Sequence, residues 1–251
     1  MLFRSAARRA PKARGIYAQI GGSSPILGQT EAQARALEAA LGSDHLWRAF
    51  VCMRYWHPMT DRVVQEVRAF APDRIVLLPL YPQFSTTTTG SSVAAWQREI
   101  DRLRIPTTTV CCYSEAEGFI AASAELVKQE LDALDDEGGG KARVLFSAHG
   151  LPEKIVRAGD PYQSQVERTA QRIAGTLGLA DWAVCYQSRV GPLKWIGPST
   201  HDEIARAGRD GVAVVVYPLA FVSEHSETLV ELDIEYRAVA QALGVPDYRR
   251  A

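Results

Sequence analysis

The chain has almost no net charge, few cysteines and no long apolar run, and each absence removes a class of function. Across 251 residues, 28 lysines and arginines stand against 29 aspartates and glutamates, a formal charge of −1. That balance gives no electrostatic case for nucleic acid as a partner. The four cysteines, Cys52, Cys111, Cys112 and Cys185, contain no C-x-x-C pair. So few thiols point to a reducing, cytoplasmic compartment and away from a disulfide framework or a closed structural zinc site. No apolar run approaches the ~18 residues of a membrane span. There is no apolar h-region, so a secretory signal is not expected. No G-x-G-x-x-G and no P-loop occurs, which leaves a dinucleotide or nucleotide site without a motif. Acids are missing from the start: none precedes Glu31, while Arg4, Arg8, Arg9, Lys12 and Arg14 are basic. That composition fits a transit peptide or the solvated face of a helix.

What is present is the composition of an ordinary globular protein, 47% hydrophobic and 23% charged. The length allows one large domain or two small ones. Six segments read as strands: Arg48–Arg54, Arg74–Leu80, Thr107–Tyr113, Arg143–Ala148, Trp182–Tyr186 and Val212–Tyr217. Their near-continuous apolar cores, such as Val212-Ala213-Val214-Val215-Val216, suit strands buried on both faces of a parallel sheet. Helical patterns lie between them, over Glu31–Leu41, Thr60–Phe70, Ser92–Leu103, Glu117–Leu134, Pro161–Leu177, Thr200–Ala207 and Ser226–Leu243. Thr30 with Gln33 offers a capping box for the first. The alternation specifies an α/β fold. The polar, glycine-rich Asp135–Lys141 divides the chain into comparable halves, giving expected domains at 1–137 and 141–251.

The strand ends carry the chemistry. Val144-Leu145-Phe146 breaks into Ser147-Ala148-His149-Gly150-Leu151-Pro152 and then reaches Gly159-Asp160-Pro161-Tyr162. This puts a histidine where ligands bind in open α/β sheets, outside the carboxyl end of a strand. The alternative is a histidine that only caps a turn. The other strand-end loops bring Tyr55-Trp56-His57, Tyr81, a run of threonines, Trp195, Phe221 and His225 to the same side. Such a lining suits a flat apolar ligand better than a sugar or a phosphate. Between Glu224 and Glu235 stand five acids, and Glu227, Glu231 and Glu235 would stack on one helix face. The row reads as a solvated face, as a path for a borderline first-row cation such as Fe(II), or as a proton relay.

Five ordered segments carry a resemblance: RYWHP (54–58), LYPQFSTTTTGSS (80–92), LFSAHGLPEKIVRAGDPY (145–162), YQSRVGPLKWIGP (186–198) and SEHSETLVELDIEY (223–236). Together they resemble the ferrochelatases, which insert ferrous iron into a porphyrin to make haem. The resemblance implies two Rossmann-like, chelatase-type domains with parallel sheets flanked by helices. It implies His149 and Glu227 as the catalytic and metal-binding pair. Glu224, His225, Glu231 and Glu235 match a metal or proton path, and Arg54, Tyr55, Tyr81 and Trp195 match residues near the porphyrin. The implied substrates are protoporphyrin and Fe(II), with peripheral membrane contact allowed and the oligomeric state left open. Two alternatives stand beside it: a porphyrin- or haem-binding chain without turnover, and a related chelatase using another metal or tetrapyrrole.

The match also has gaps. Family members usually carry a first strand ahead of the segment matched by Met1, and a further helix beyond Arg250. The first strand of the first domain is therefore expected to be missing, with the last helix free to pack back on the first half. Each buried backbone group left unpaired would cost about 1–3 kcal/mol. A fragment of a larger product, or a protein of reduced stability, is the expectation. The basic start then reads as a solvated helix face. Some members hold a two-iron two-sulfur cluster on cysteines near the carboxyl end. No cysteine follows Cys185, so no cluster and no other prosthetic group is expected.

Overall fold

A computed structural model describes residues 2–100, 105–136, 140–189 and 191–251. In chain order the first half contains α1 (Leu2–Ala18), α2 (Ile26–Ala40), α3 (Thr60–Phe70), β1 (Ile75–Leu77), α4 (Thr89–Ile100), β2 (Thr107–Thr109) and α5 (Glu117–Asp136). The second contains β3 (Ala142–His149), α6 (Glu153–Arg157), α7 (Tyr162–Leu177), β4 (Trp182–Gln187), α8 (Thr200–Asp210) and β5 (Ala213–Tyr217). It closes with a π-helix (Glu227–Tyr236), α9 (Arg237–Ala242) and β6 (Tyr248–Arg250).

The apolar runs of the second half form a four-stranded parallel sheet in the order β4-β3-β5-β6. Alternate side chains of β3 and β5 leave on opposite faces, as strand geometry demands. Val144, Phe146, Val215 and Tyr217 pack on one face with Val166, Ala170 and Ile173 of α7. Leu145, Val214 and Val216 pack on the other with Ile204 of α8, Leu232 of the π-helix and Ala240 of α9. The chain thus returns from β3 over one face and from β5 over the other. The crevice at their carboxyl ends is where such sheets take ligands.

The first half is slighter. β1 and β2 pair in parallel over three residues each, and Val63, Val64 and Val67 of α3 pack on Ile75, Trp96 and Ile100. α5 packs away from this pair, its Ile120, Ala124 and Val127 joining the core of the larger sheet. Among the described residues β1 has β2 as its one partner, and Val76 is 48% exposed.

Several expectations are corrected here. Arg48–Arg54 is not a strand; its amides go elsewhere, Ala49 N–H to Glu38 Oε1 (2.6 Å) and Met53 N–H to the Pro58 carbonyl (2.9 Å). Helix α2 begins at Ile26, so Thr30 lies inside it and bonds the Ile26 carbonyl instead of capping. Gln33 donates to the distant Val222 carbonyl. β6, three residues beside β5, was hidden by its polar sequence Tyr-Arg-Arg. α9 packs on the π-helix, α8 and β6. The expected helix end at Leu103 and residues 137–139 of the glycine-rich boundary lie outside the described residues.

Candidate active site

His149 is the last residue of β3 and pairs in register with Gln187 of β4. The next residue is a glycine in a tight place: a Cβ at Gly150 would stand 3.1 Å from the Gln187 carbonyl and 3.3 Å from the Trp195 ring, so any larger residue would push its neighbours back by a few tenths of an ångström. Trp195 thereby lies against the histidine turn, held by a bridge to Pro152 and by the Ile196 N–H to Leu151 carbonyl bond of 3.0 Å.

Opposite His149, the chain leaves β5 through Phe221 and enters a π-helix where the four-residue spacing suggested an α-helix. Its i to i+5 bonding widens each turn, so a row spaced four apart drifts around the helix and leaves the site by its third member. Glu227 and Glu231 reach the site. Glu235 is exposed, and among the described residues no hydrogen bond joins it to the group around His149. The His149 Nδ1 lies 2.8 Å from Glu227 Oε2.

A set of hydroxyl and amide groups, half-buried at Ser188 and buried behind it, fixes the two carboxylates. Ser188 donates its N–H to Glu231 Oε1 (2.8 Å), and its Oγ lies 2.5 Å from Glu231 Oε2 and 3.1 Å from Glu227 Oε2. It does so from φ +60°, a left-handed conformation that non-glycine residues rarely adopt and that collects at functional sites. Gln187 is fully buried and donates to the Glu227 carbonyl (2.9 Å) and Glu231 Oε2 (3.2 Å). Ser147 orients it by donating to Gln187 Oε1 at 2.7 Å, and Thr200 lies 3.0 Å behind Ser147.

These environments push the titrations apart. Burial pulls His149 down, but the Glu227 hydrogen bond and charge, with Glu231 behind, outweigh it and hold the imidazole above its ordinary value. Burial raises Glu227, yet His149, His225 and Ser188 win and hold it below the usual carboxylate range. Glu231 rises, through burial and the Glu227 charge, against the Ser188 and Gln187 hydrogen bonds. Two neighbouring carboxyls with opposite shifts are the pattern of an acid beside a base.

The remaining expected residues separate. His225 sits beside this group, edge-on to Phe221 with centroids 4.7 Å apart, and burial lowers its pKa. Glu224 is turned away: it pairs with Arg250 at 3.0 Å, which also holds Asp233 at 2.5 Å. Two glutamines of α2 hold this loop, Gln29 accepting from the Glu224 N–H and Gln33 from the Ser223 hydroxyl.

On the first half, the Arg54 Nε donates to Ser91 Oγ at 2.9 Å and its guanidinium lies 4.6 Å over the Tyr55 ring. Tyr55 is 75% exposed. Tyr81 joins them; burial first, then Tyr55, raise its phenol, with Arg54 opposing.

Asp160 ties this wall to the second half. Its Oδ2 accepts from the Thr86 N–H and hydroxyl (2.7 and 2.6 Å) and from Ser85 Oγ (3.0 Å), and its Oδ1 from the Tyr162 N–H. Burial raises the carboxyl, but these bonds prevail and lower it. A cavity of about 370 Å³ lies beside this tie, lined by Thr86, Lys154, Ile155 and Asp160, while the His149 side is open to solvent. Sequence reasoning missed Ser188, which gives no signal before its φ is known. The Asx turn of Gly-Asp-Pro-Tyr was the available sign for Asp160.

Comparison with known proteins agrees with this architecture. The family model described as Ferrochelatase matches residues 4–251. A ferrochelatase of Caulobacter vibrioides (strain NA1000 / CB15N) is 54% identical over 248 residues, 96% of this chain and 70% of that protein. One from Phenylobacterium zucineum (strain HLK1) is 54% identical over 250 residues, 97% of this chain and 71% of that protein. Among solved structures, SirB from Bacillus subtilis with Fe3+ superposes with a TM-score of 0.60 at 15% identity, covering 92% of this chain and 84% of that one. That likeness shows a shared chelatase-type α/β fold. On the extent of the family match and the identity to its members, this chain belongs to the ferrochelatase family.

Proposed function

We propose that this chain is a metal-inserting lyase that places ferrous iron in protoporphyrin IX, the last step of haem synthesis. The observation that carries the reading is the 2.8 Å junction of His149 with Glu227, at the sheet's ligand-binding edge and beside Trp195.

The reaction exchanges one Fe(II) for the two pyrrole N–H protons of the macrocycle. With Glu227 ionised, its hydrogen bond fixes the His149 proton on Nδ1 and leaves Nε2 with a free lone pair. A carboxylate behind an imidazole raises its basicity and orients it. Nε2 is therefore the atom that meets iron or takes a pyrrole proton. Glu227, Ser188 and Glu231 continue the path as a relay. The Ser188 hydroxyl carries one proton and lies between two carboxylate oxygens, so it can pass a proton from Glu227 to Glu231. Among the described residues no three His, Cys, Asp or Glu side chains form a metal cage. An incomplete donor set suits an ion that must be surrendered to four pyrrole nitrogens.

Arg54, Tyr55, Tyr81 and Trp195 are the porphyrin-facing groups, and His225 lies beside the metal path. Tyr55 and Trp56, 75% and 66% exposed, favour peripheral contact with a membrane, where the apolar substrate partitions. No helix among the described residues is long and apolar enough to cross one. The free thiols favour the cytoplasm. We propose no iron–sulfur cluster: Cys185 is fully buried in the sheet, Cys52 stands apart, and Cys111 and Cys112 are two adjacent thiols.

The test is direct. Purified protein, ferrous iron and protoporphyrin are mixed without oxygen while the visible spectrum is followed. Metalloporphyrin bands should grow well above the protein-free rate; growth at the protein-free rate would overturn the assignment.

A further inference from the structure

Outside the His149 group, Cys111 and Cys112 bring two nucleophilic side chains together, with Sγ atoms 3.0 Å apart. Consecutive side chains of a strand point to opposite faces. Here the chain has left β2, and the two thiols turn to the same side. The segment is pinned at both ends, by Val110 N–H to the Leu77 carbonyl and Tyr113 N–H to the Pro82 carbonyl, each 2.9 Å. Cys111 is exposed and Cys112 half-buried, whereas Cys185 is buried and Cys52 stands apart.

We infer that Cys111 and Cys112 form a chelating dithiol for a trivalent arsenous centre, and that occupying it loosens the Tyr81–Thr88 loop. Thiolates select soft centres. With bonds of about 2.3 Å to a shared centre, sulfurs this close subtend roughly 80°, against the roughly 109° of tetrahedral zinc. The narrow bite suits a pyramidal trivalent centre, which needs two sulfurs and keeps its third substituent. With phenylarsine oxide, the two S–H bonds and the arsenic–oxygen bond break and two arsenic–sulfur bonds form. The oxygen leaves with both protons as one water, and no oxidation state changes.

The segment that carries the pair meets the loop at two points. Pro82 receives the Tyr113 amide, and Gln165 bonds Cys112 Sγ with its Nε2 (3.8 Å) while its Oε1 accepts the Phe84 N–H at 2.7 Å. Drawing the sulfurs onto arsenic pulls Cys112 from Gln165 and frees the Phe84 anchor. This coupling, unlike the chelation, rests on the loop being a porphyrin wall.

The experiment treats the whole reduced chain with phenylarsine oxide in excess monothiol and reads the intact mass. One adduct per chain is expected, stable to monothiol, removed by a dithiol, absent in Cys111→Ser and Cys112→Ser, and present in Cys52→Ser. No stable adduct on the unsubstituted chain, or one that survives in Cys111→Ser, overturns the site. Protoporphyrin binding is then read by tryptophan quenching. Loading should weaken it roughly fivefold to tenfold, the equivalent of one lost hydrogen bond, and leave treated Cys111→Ser unchanged. Equal affinity with and without the arsenical overturns the coupling. Failure of the unloaded chain to bind protoporphyrin overturns instead the porphyrin reading, and the coupling with it.

Discussion

Ser188 grips Glu231 twice, by its N–H at 2.8 Å and by its hydroxyl at 2.5 Å, from a backbone held at φ +60°. A left-handed serine costs of order 1 kcal/mol, and what it gains is a hydroxyl placed between two carboxylates of opposite titration shift. The strain sits beside the histidine, where the chemistry needs a fixed proton path.

Replacing Ser188 with alanine keeps the backbone donor and removes the hydroxyl. Insertion should slow by about tenfold to a hundredfold with protoporphyrin affinity unchanged. Steady-state kinetics should show the loss in kcat and not in KM. A loss confined to KM would mean that Ser188 shapes the pocket and carries no proton.

The His149–Glu227 pair should be visible in the metal-free protein. His149, raised above 6.5, contributes stability that is full below 6.5 and lost as pH rises through its raised value. Glu227, lowered from 4.5, contributes above 4.5 and loses that contribution as pH falls through its lowered value. In Glu227→Gln the His149 midpoint should fall, read by imidazole resonances in a pH titration. The stability difference from the parent should be largest between these two ordinary values, measured by denaturant melts.

Asp160→Ala removes four hydrogen bonds to a buried carboxylate. The expected cost is roughly 2–4 kcal/mol, with faster amide exchange at Thr86, whose N–H loses its acceptor. Unchanged exchange there would show that the loop is held by other contacts.

Gly208→Ala sets two effects of opposite sign against each other. Alanine in a helix interior gains about 1 kcal/mol over glycine. At this position, however, the Cβ would lie 2.2 Å from the Leu243 carbonyl oxygen, and forced overpacking costs about 1–3 kcal/mol. The clash should win, lowering the melting temperature while activity per folded molecule stays the same.

Much of the second half was legible because its strands are buried on both faces. Val144-Leu145-Phe146 and the run ending at Tyr217 could be little else, and a histidine after such a strand falls at a sheet's ligand edge. Glu227 was legible as the start of an acidic row. Its geometry was not, because the same spacing serves an α-helix and a π-helix, and the difference decides that Glu231 faces inward and Glu235 outward. Arg250 was equally hidden: its claim on Glu224 comes through a short polar strand of weak pattern. Arg48–Arg54 failed for the opposite reason, since apolar residues there promise a strand but among the described residues no neighbouring strand receives their amides. In the first half, β1 and β2 are three residues each, too short for periodicity to mark their ends.

The most direct measurement is anaerobic iron insertion by His149→Ala beside the parent chain, with protoporphyrin affinity measured on both. His149→Ala should bind protoporphyrin as the parent does and show no insertion above the protein-free rate. Insertion at the parental rate would place the chemistry elsewhere and remove His149 and Glu227 as the reacting pair.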